Sequence, residues 1–244
     1  MPISYHKGSR DSLDETPRVV QNLPMDARNH HALASKRKIS AVIFDYGEVL
    51  CCPPSLEHLA RMAEVFHMRG EEFFPAYIAS RNPYDGGDIG AHEYWRQFAE
   101  SAGVEVHHSM IEKLREWDLQ MWSSINAKMV EWLGAIHSAG FKTALLSNMQ
   151  SDMASHARRN FEWLRHFDYL TLSCEARAIK PDLAIYRRCL AALGVPPRET
   201  LFIDDRMSNI EAAEMLGIVG LPFQSIEKLG DDLRGLGFPI SPVI

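Results

Sequence analysis

The stretch ISAVIFDYGEVL (residues 39–50) decides the fold of this chain. Its first half is a run of β-branched and apolar residues that ends in the carboxylate Asp45. A short continuous run of this kind is typical of a strand that is buried on both faces of a sheet. The run therefore predicts a buried strand with an acid at its carboxyl end, followed by a turn at Gly47.

Similar runs recur further along the chain. They are FKTALLSN (141–148), YLTLSCE (169–175), TLFIDD (200–205) and the weaker GIVGLPF (217–223). Helical patterns separate them at residues 126–140, 182–194 and 208–217, the last with Ser208 as its expected N-cap. Alternating strands and helices predict an α/β fold with a doubly wound, Rossmann-like parallel sheet.

One interval is too long for this alternation. The sequence separation between Asp45 and Ser147 far exceeds the roughly 30 residues of a βαβ unit. Helical patterns fill it at 55–67, 71–80, 91–103 and 110–124, with a turn-rich joint at 82–90. We therefore expect an α/β core domain at 39–51 and 127–244, a helical cap domain at 52–126, and a mobile N-terminal extension at 1–38.

Composition narrows the class of protein. The chain has 244 residues, 46% of them apolar, and a formal net charge of −6. An acidic chain is a poor match for a nucleic-acid backbone, and no apolar run reaches the length of a membrane span. The four cysteines have no CxxC spacing. We therefore expect them to be reduced thiols. We expect a cytoplasmic protein, monomeric or homodimeric, that binds neither nucleic acid nor membrane.

Polar residues stand at or just beyond the predicted strand ends, where ligands bind in parallel α/β sheets. These residues are Asp45, Ser147, Asn148, Lys180, Asp204 and Asp205. Two adjacent carboxylates repel each other unless a cation lies beside them. Asp204, Asp205 and Asp45, with the backbone carbonyl of Gly47, predict a Mg²⁺ site, because Mg²⁺ prefers oxygen ligands.

The same residues predict phosphoryl chemistry. Asp45 is the candidate nucleophile for an aspartyl-phosphate. Lys180 would neutralise the phosphoryl oxygens, and Ser147 and Asn148 would donate hydrogen bonds to them. The backbone N–H groups of the Tyr46–Gly47 turn would add further donors. The predicted catalytic residues are therefore Asp45 and Lys180, in a site for a small phosphorylated metabolite.

The ordered set FDYGEVL, LLSN, IKPDLAIY and LFIDDRMSNIEAAEMLG resembles the four motifs of the haloacid dehalogenase (HAD) superfamily of hydrolases. The chain is most similar to its phosphatases with a C1-type helical cap, such as sugar-1-phosphate phosphatases and the N-terminal phosphatase domain of soluble epoxide hydrolase. The resemblance implies the roles given above for Asp45, Lys180, Ser147, Asn148 and the acidic pair. It also implies that Asn209 steadies the last loop.

One position departs from the common pattern. Most HAD phosphatases have a second Asp two residues after the nucleophile, acting as general acid and base, and this chain has Gly47 there. Glu48, Asp85, Asp88 and His92 are the candidates for this task. Three functions stay open: a Mg²⁺-dependent phosphatase, a 2-haloacid dehalogenase, and a HAD-like binding protein with weak catalysis. A sugar phosphate is a candidate substrate of the first.

Overall fold

The computed structural model describes residues 38–243, and the predicted extension at 1–38 lies outside this range except for Lys38. Five parallel strands form the sheet in the order β3-β2-β1-β4-β5. They are β1 (Ala41–Phe44), β2 (Lys142–Ser147), β3 (Tyr169–Leu172), β4 (Thr200–Asp204) and β5 (Val219–Pro222). Strands β2 and β3 extend the sheet on one side of β1, and β4 and β5 extend it on the other side. The strand order therefore reverses at β1. Phe44 is in register with Leu145 of β2 and Ile203 of β4, which brings the carboxyl ends of these three strands together.

Helices cover both faces of the sheet. They are α6 (Ala127–Ser138), α7 (Ser151–Asn160), α8 (Ser173–Ala176), α9 (Leu183–Leu193), α10 (Met207–Glu214) and α11 (Ile226–Gly235). Val42 and Phe44 face a core that includes α6, α7 and α11, whereas Ala41 and Ile43 face a second core with α9 and α10. Successive side chains of a strand point to opposite faces of the sheet. All four residues of β1 are buried because helices cover both faces. The predicted doubly wound α/β sheet is confirmed.

Five helices lie between β1 and α6. They are α1 (Leu56–Val65), α2 (Gly70–Ser80), α3 (Asn82–Asp85), α4 (Ala91–Ala102) and α5 (His108–Met121). They enclose a third, largely aromatic core that includes Phe66, Phe73, Tyr77, Trp95 and Phe98. Backbone hydrogen bonds from Cys52 N to Ser124 O (2.8 Å) and from Asn126 N to Leu50 O (2.9 Å) join the two ends of this insertion. These contacts fit a cap at 52–126, although the exact domain boundaries stay a prediction.

Two local expectations differ from the structure, and two further helices were not predicted. Ser208 lies inside the first turn of α10 rather than at its N-cap, because the helix already begins at Met207 after the extended residue Arg206. The third strand ends at Leu172, and Ser173 starts the short helix α8 instead. The helices α7 and α11 had no counterpart among the predicted elements. None of the helices within residues 38–243 is long and apolar enough to cross a membrane.

Candidate active site

Three carboxylates converge where the strand order reverses. Asp45 follows β1, while Asp204 ends β4 and Asp205 follows it. One carboxylate oxygen from each lies within 4.8 Å of the others. Asp204 is completely buried and Asp45 is 7% exposed. The sheet topology thus brings together the three acids that the sequence predicts as metal ligands.

Lys180 joins two of these acids. Its Nζ lies 2.7 Å from Asp45 Oδ1 and 2.6 Å from Asp204 Oδ2, and its side chain is buried. The segment that carries Lys180 is attached to the end of β2 through Asn148. The backbone N–H of Lys180 donates to Asn148 Oδ1 (2.7 Å), and Asn148 Nδ2 donates to Lys180 O (2.9 Å). Asn148 therefore positions Lys180, and its expected contact with phosphate stays a prediction.

The charges of this cluster do not balance. Three carboxylates face one ammonium group, a local sum of −2 when all are ionised. Burial, together with the neighbouring Asp204 and Asp205, raises the pKa of Asp45 to about 7 against the opposing effect of Lys180. Burial and Asp204 likewise raise the pKa of Asp205 to about 6. Burial works against the charge of Lys180, but Asp204 and Asp45 hold its pKa above the ordinary value.

Asp204 and Asp205 differ in their hydrogen bonds and in their burial. Asp204 accepts hydrogen bonds from Lys180 Nζ, from Arg206 N (2.9 Å) and from Asn209 Nδ2 (2.9 and 3.1 Å). The Asn209 contact agrees with the steadying role that the resemblance implies. Asp205 is only partly buried and accepts no hydrogen bond from the residues the structure describes. Asp205 therefore has more of its carboxylate available to a ligand than Asp204 has.

The cluster fits a hard divalent cation. Mg²⁺ prefers oxygen ligands, and its two positive charges would cancel the local excess of negative charge. Asp45 and Asp205 would hold it with the Gly47 carbonyl, and Asp204 lies close enough to contribute. Gly47 is not among the residues with positive φ, whereas Glu48 has φ +53°. Gly47 is therefore not required for an unusual backbone angle, and its role as a carbonyl ligand stays a prediction.

The remaining predicted residues border one cavity, which we call the active-site cavity. Ser147, Asn148, Lys180, Tyr46 and Gly47 all line it. Tyr46 N donates to Asp45 Oδ1 (2.7 Å) and therefore orients the candidate nucleophile, while Tyr46 OH donates to Trp122 O (2.5 Å). A direct contact of the Tyr46 N–H with substrate stays a prediction.

Sequence reasoning missed the residues that complete the cavity wall. These are Ile78, Arg81, Asn82, Trp122, Met149, Gln150, Met153 and Arg206. The i, i+4 spacing of Arg81 and Asp85 is a sequence signal for an ion pair, but it does not tell which face of the helix meets the cavity. Glu48 and Asp85 also line the cavity. Asp88 and His92 do not, so these two candidates for the missing acid lie outside it.

Comparisons with known proteins agree with this geometry. The family described as haloacid dehalogenase-like hydrolase matches residues 13–217. Bifunctional epoxide hydrolase 2 of Rattus norvegicus is 32% identical over 127 residues, 49% of this chain and 23% of that protein. Flavin mononucleotide hydrolase 1 of Arabidopsis thaliana is 41% identical over 69 residues, 28% of either chain. The chain thus spans only about a quarter of the length of these curated relatives.

Solved structures share the fold. A HAD family enzyme from Bacteroides thetaiotaomicron, solved as a magnesium complex, has a TM-score of 0.64 at 22% identity, over 77% of this chain and 94% of that one. Haloacid dehalogenases are also among the structures of this fold. The match of the family over most of the chain, with the four motifs converging on one cavity, shows that this protein belongs to the haloacid dehalogenase-like hydrolases.

Proposed function

We propose that the protein is a Mg²⁺-dependent phosphatase that hydrolyses a small phosphorylated metabolite through an aspartyl-phosphate on Asp45. The observation that carries this proposal is the buried contact of Lys180 with Asp45, beside Asp204 and Asp205 and in one cavity with Ser147. Such a site combines a nucleophile, a fixed cation and a carboxylate cluster for a metal. The names of the relatives support the same class of reaction, since one of them is a flavin mononucleotide hydrolase.

The residues of the site suggest a two-step reaction. Asp45 Oδ would attack the phosphorus atom of the ester and displace the alcohol, and water would then attack the phosphorus atom of the aspartyl-phosphate and release inorganic phosphate. Lys180 orients Asp45 and offsets charge on the phosphoryl oxygens, while Ser147 Oγ donates to one of them. A bound Mg²⁺ would supply the additional positive charge that lets an anion attack an anion.

The dehalogenase alternative has less support from the charges in the cavity. A 2-haloacid carries a carboxylate that needs a cation to bind it. Both buried cations of the cavity are already paired with acids, Lys180 with Asp45 and Asp204, and Arg81 with Asp85 and Asp118. Without a metal, the carboxylate cluster would repel such a substrate.

The direct test is a turnover screen with the purified protein. p-Nitrophenyl phosphate, sugar phosphates and flavin mononucleotide are offered with Mg²⁺ and with a chelator, and Asp45→Asn serves as the blank. The proposal predicts release of phosphate that needs Mg²⁺ and disappears in the variant. Release of chloride from 2-chloropropionate in chelator would favour the dehalogenase. Mg²⁺ binding without any turnover would instead favour the HAD-like binding protein.

A further inference from the structure

The cap contributes one cationic side chain to the active-site cavity, and that cation is already neutralised. Arg81 projects from the turn between α2 and α3 and is 8% exposed. Its Nε and Nη2 donate to Asp85 at 2.7 to 3.1 Å, and its Nη1 lies 3.2 Å from Asp118 Oδ1. Asp85 alone balances the guanidinium, so this part of the wall has no net positive charge whatever the state of Asp118.

Arg81 is also fixed in place. Its guanidinium lies over the rings of Tyr77 and Tyr84, 4.8 and 5.2 Å from their centroids. Its Nη1 donates to Tyr77 OH as well, and Tyr77 OH donates to Asp118. Moving the guanidinium toward a substrate would break a paired, buried ion contact, which is strongly unfavourable. Arg81 therefore stays with Asp85 when a ligand enters.

The other cationic side chains that line the cavity are not available to a second anionic group either. Lys180 is held by Asp45 and Asp204. Arg206 borders the cavity but is exposed, so water and salt screen its charge. Glu48 adds a negative charge to the lining of the cavity. Among the residues that the structure describes around the cavity, no buried cation is left for a second anion on the substrate.

We propose that the site selects phosphate monoesters whose leaving alcohol is uncharged, and that Asp85 is the residue that sets this selectivity by neutralising Arg81. The inference rests on the proposed phosphatase function and adds the substrate class. A second anionic group on the alcohol would meet the carboxylate of Glu48 and an Arg81 whose charge Asp85 already balances. Like charges a few ångströms apart in a partly buried site repel strongly enough for about a tenfold effect or more.

The test uses two substrates of matched shape. Glycerol 3-phosphate and 3-phosphoglycerate both carry phosphate on a terminal carbon, and they differ by a hydroxymethyl group against a carboxylate. Each is measured as a substrate and as a competitive inhibitor of p-nitrophenyl phosphate hydrolysis. We expect kcat/KM, or the inverse inhibition constant, to favour the glycerol ester by about tenfold or more. Equal values for the two compounds in the wild-type protein would overturn the inference.

A variant tests the residue itself. Asp85→Asn keeps an oxygen for Arg81 but removes one negative charge from the cluster of Arg81, Asp85 and Asp118, so the ratio should move toward 3-phosphoglycerate by about tenfold. Asp88→Asn is the matched control, because Asp88 is exposed, close to α3 and outside the active-site cavity; its ratio should equal that of the wild type. Circular dichroism verifies that the variants fold.

The outcomes separate the two proposals. If the folded Asp85→Asn protein keeps the wild-type ratio, Asp85 does not set the selectivity. If Asp85→Asn fails to fold, the wild-type ratio still decides whether the site discriminates against the second anion. If the wild-type protein hydrolyses no phosphate ester, the phosphatase proposal is wrong, and so is the inference about the substrate class. Hydrolysis of p-nitrophenyl phosphate with no discrimination between the pair leaves the phosphatase intact and contradicts only the selectivity.

Discussion

Asp45 is held in surroundings that disfavour its charge. Its side chain is almost fully buried beside Asp204 and Asp205, and Lys180 opposes their effect on its pKa. A nucleophilic carboxylate has to be ionised, so the site needs additional positive charge at neutral pH. The raised pKa of this group therefore links the proposed catalysis and the proposed metal binding to stability, and experiments can separate the three effects.

Stability should depend on pH and on Mg²⁺ through Asp45. The folded protein holds the proton of this carboxyl up to a pKa of about 7, against an ordinary value of 3.8. Between these values the folded state binds more protons than the unfolded state, so the free energy of unfolding falls as pH rises from about 4 to about 7. Differential scanning fluorimetry without divalent cations should show this fall in Tm, and Asp45→Asn should show a smaller one.

Added Mg²⁺ should reverse the loss at neutral pH. A ligand at a hundred times its Kd stabilises the folded state by about 2.7 kcal/mol. The rise in Tm should be larger at pH 7.5 than at pH 5, because protons compete for the same carboxylates. An equal rise at both pH values, or an equal rise in Asp45→Asn, would contradict this link.

Asn209 should matter for both stability and turnover. Its amide donates twice to the buried Asp204, which in turn contacts Lys180. Removing a partner of a buried charged group costs about 1–3 kcal/mol or more. Asn209→Ala should therefore lower the urea midpoint and kcat together.

Asn160→Ala is the control for this change, since Asn160 is exposed and, within residues 38–243, its amide hydrogen-bonds to His156 alone. Its stability and turnover should stay close to those of the wild type. Equal effects of the two substitutions would show that the contact with Asp204 is unimportant.

The turn after α3 brings the cap against α8 of the core. Gly87 has φ +79°, and a Cβ added there would lie 2.6 Å from the carbonyl oxygen of Cys174. Gly103, which ends α4, has φ +68° but no atom within 4 Å of such a Cβ. The two glycines share the left-handed backbone and differ in their surroundings.

Gly87→Ala and Gly103→Ala therefore separate backbone strain from steric overlap. A positive φ costs alanine about 1 kcal/mol at either position, and the overlap with Cys174 adds about 1–3 kcal/mol at Gly87 alone. Urea unfolding should show the larger loss for Gly87→Ala. Equal losses would mean that the two elements adjust freely to each other.

The core helices were predicted where apolar residues are frequent. The sequence predicts a helix at 182–194, and the structure has α9 at Leu183–Leu193, because Asp182 caps its start and Gly194 its end. By contrast α7 has the polar sequence SDMASHARRN, in which few apolar residues indicate a buried face, and tertiary contacts of Met153, Ala154 and Ala157 stabilise it. The local sequence does not contain those contacts.

The candidate site was predictable only on its sheet side. Strand-end residues converge by topology, so Asp45, Ser147 and Asp204 could be placed together from their positions in the pattern. Arg81 and Trp122 reach the same cavity because of how the helices of the insertion pack, and no periodicity encodes that packing. The hydrogen bonds of Asn148 to Lys180 also depend on a distant loop.

The cap and the core are joined by buried polar contacts as well as by the chain itself. Ser173 Oγ donates to the backbone carbonyl of Asp85 (2.6 Å) and accepts from Met149 N (2.8 Å). Ser173 is completely buried. Ser173 therefore connects the turn at Asp85 to Met149, which lines the active-site cavity. We expect its loss to affect both the cap and the cavity.

Ser173→Ala should destabilise the protein by about 1–3 kcal/mol, because two buried backbone groups lose their partner. It should also lower kcat/KM, since Asp85 and Met149 both line the cavity. Urea unfolding and steady-state kinetics measure the two effects. Ser101→Ala removes an exposed hydroxyl that donates to Phe98 O and should change neither; similar results for both serines would contradict the proposed connection.

The proposed phosphatase activity depends on covalent chemistry at Asp45. The measurement is acid quenching during steady-state turnover of a phosphate ester, followed by reduction with borohydride and peptide mass spectrometry. We predict a modified Asp45 in the peptide that contains FDYG, present with Mg²⁺ and absent from the Asp45→Asn protein. Turnover of the ester with Asp45 unmodified at every time point, or undiminished turnover by Asp45→Asn, would contradict it.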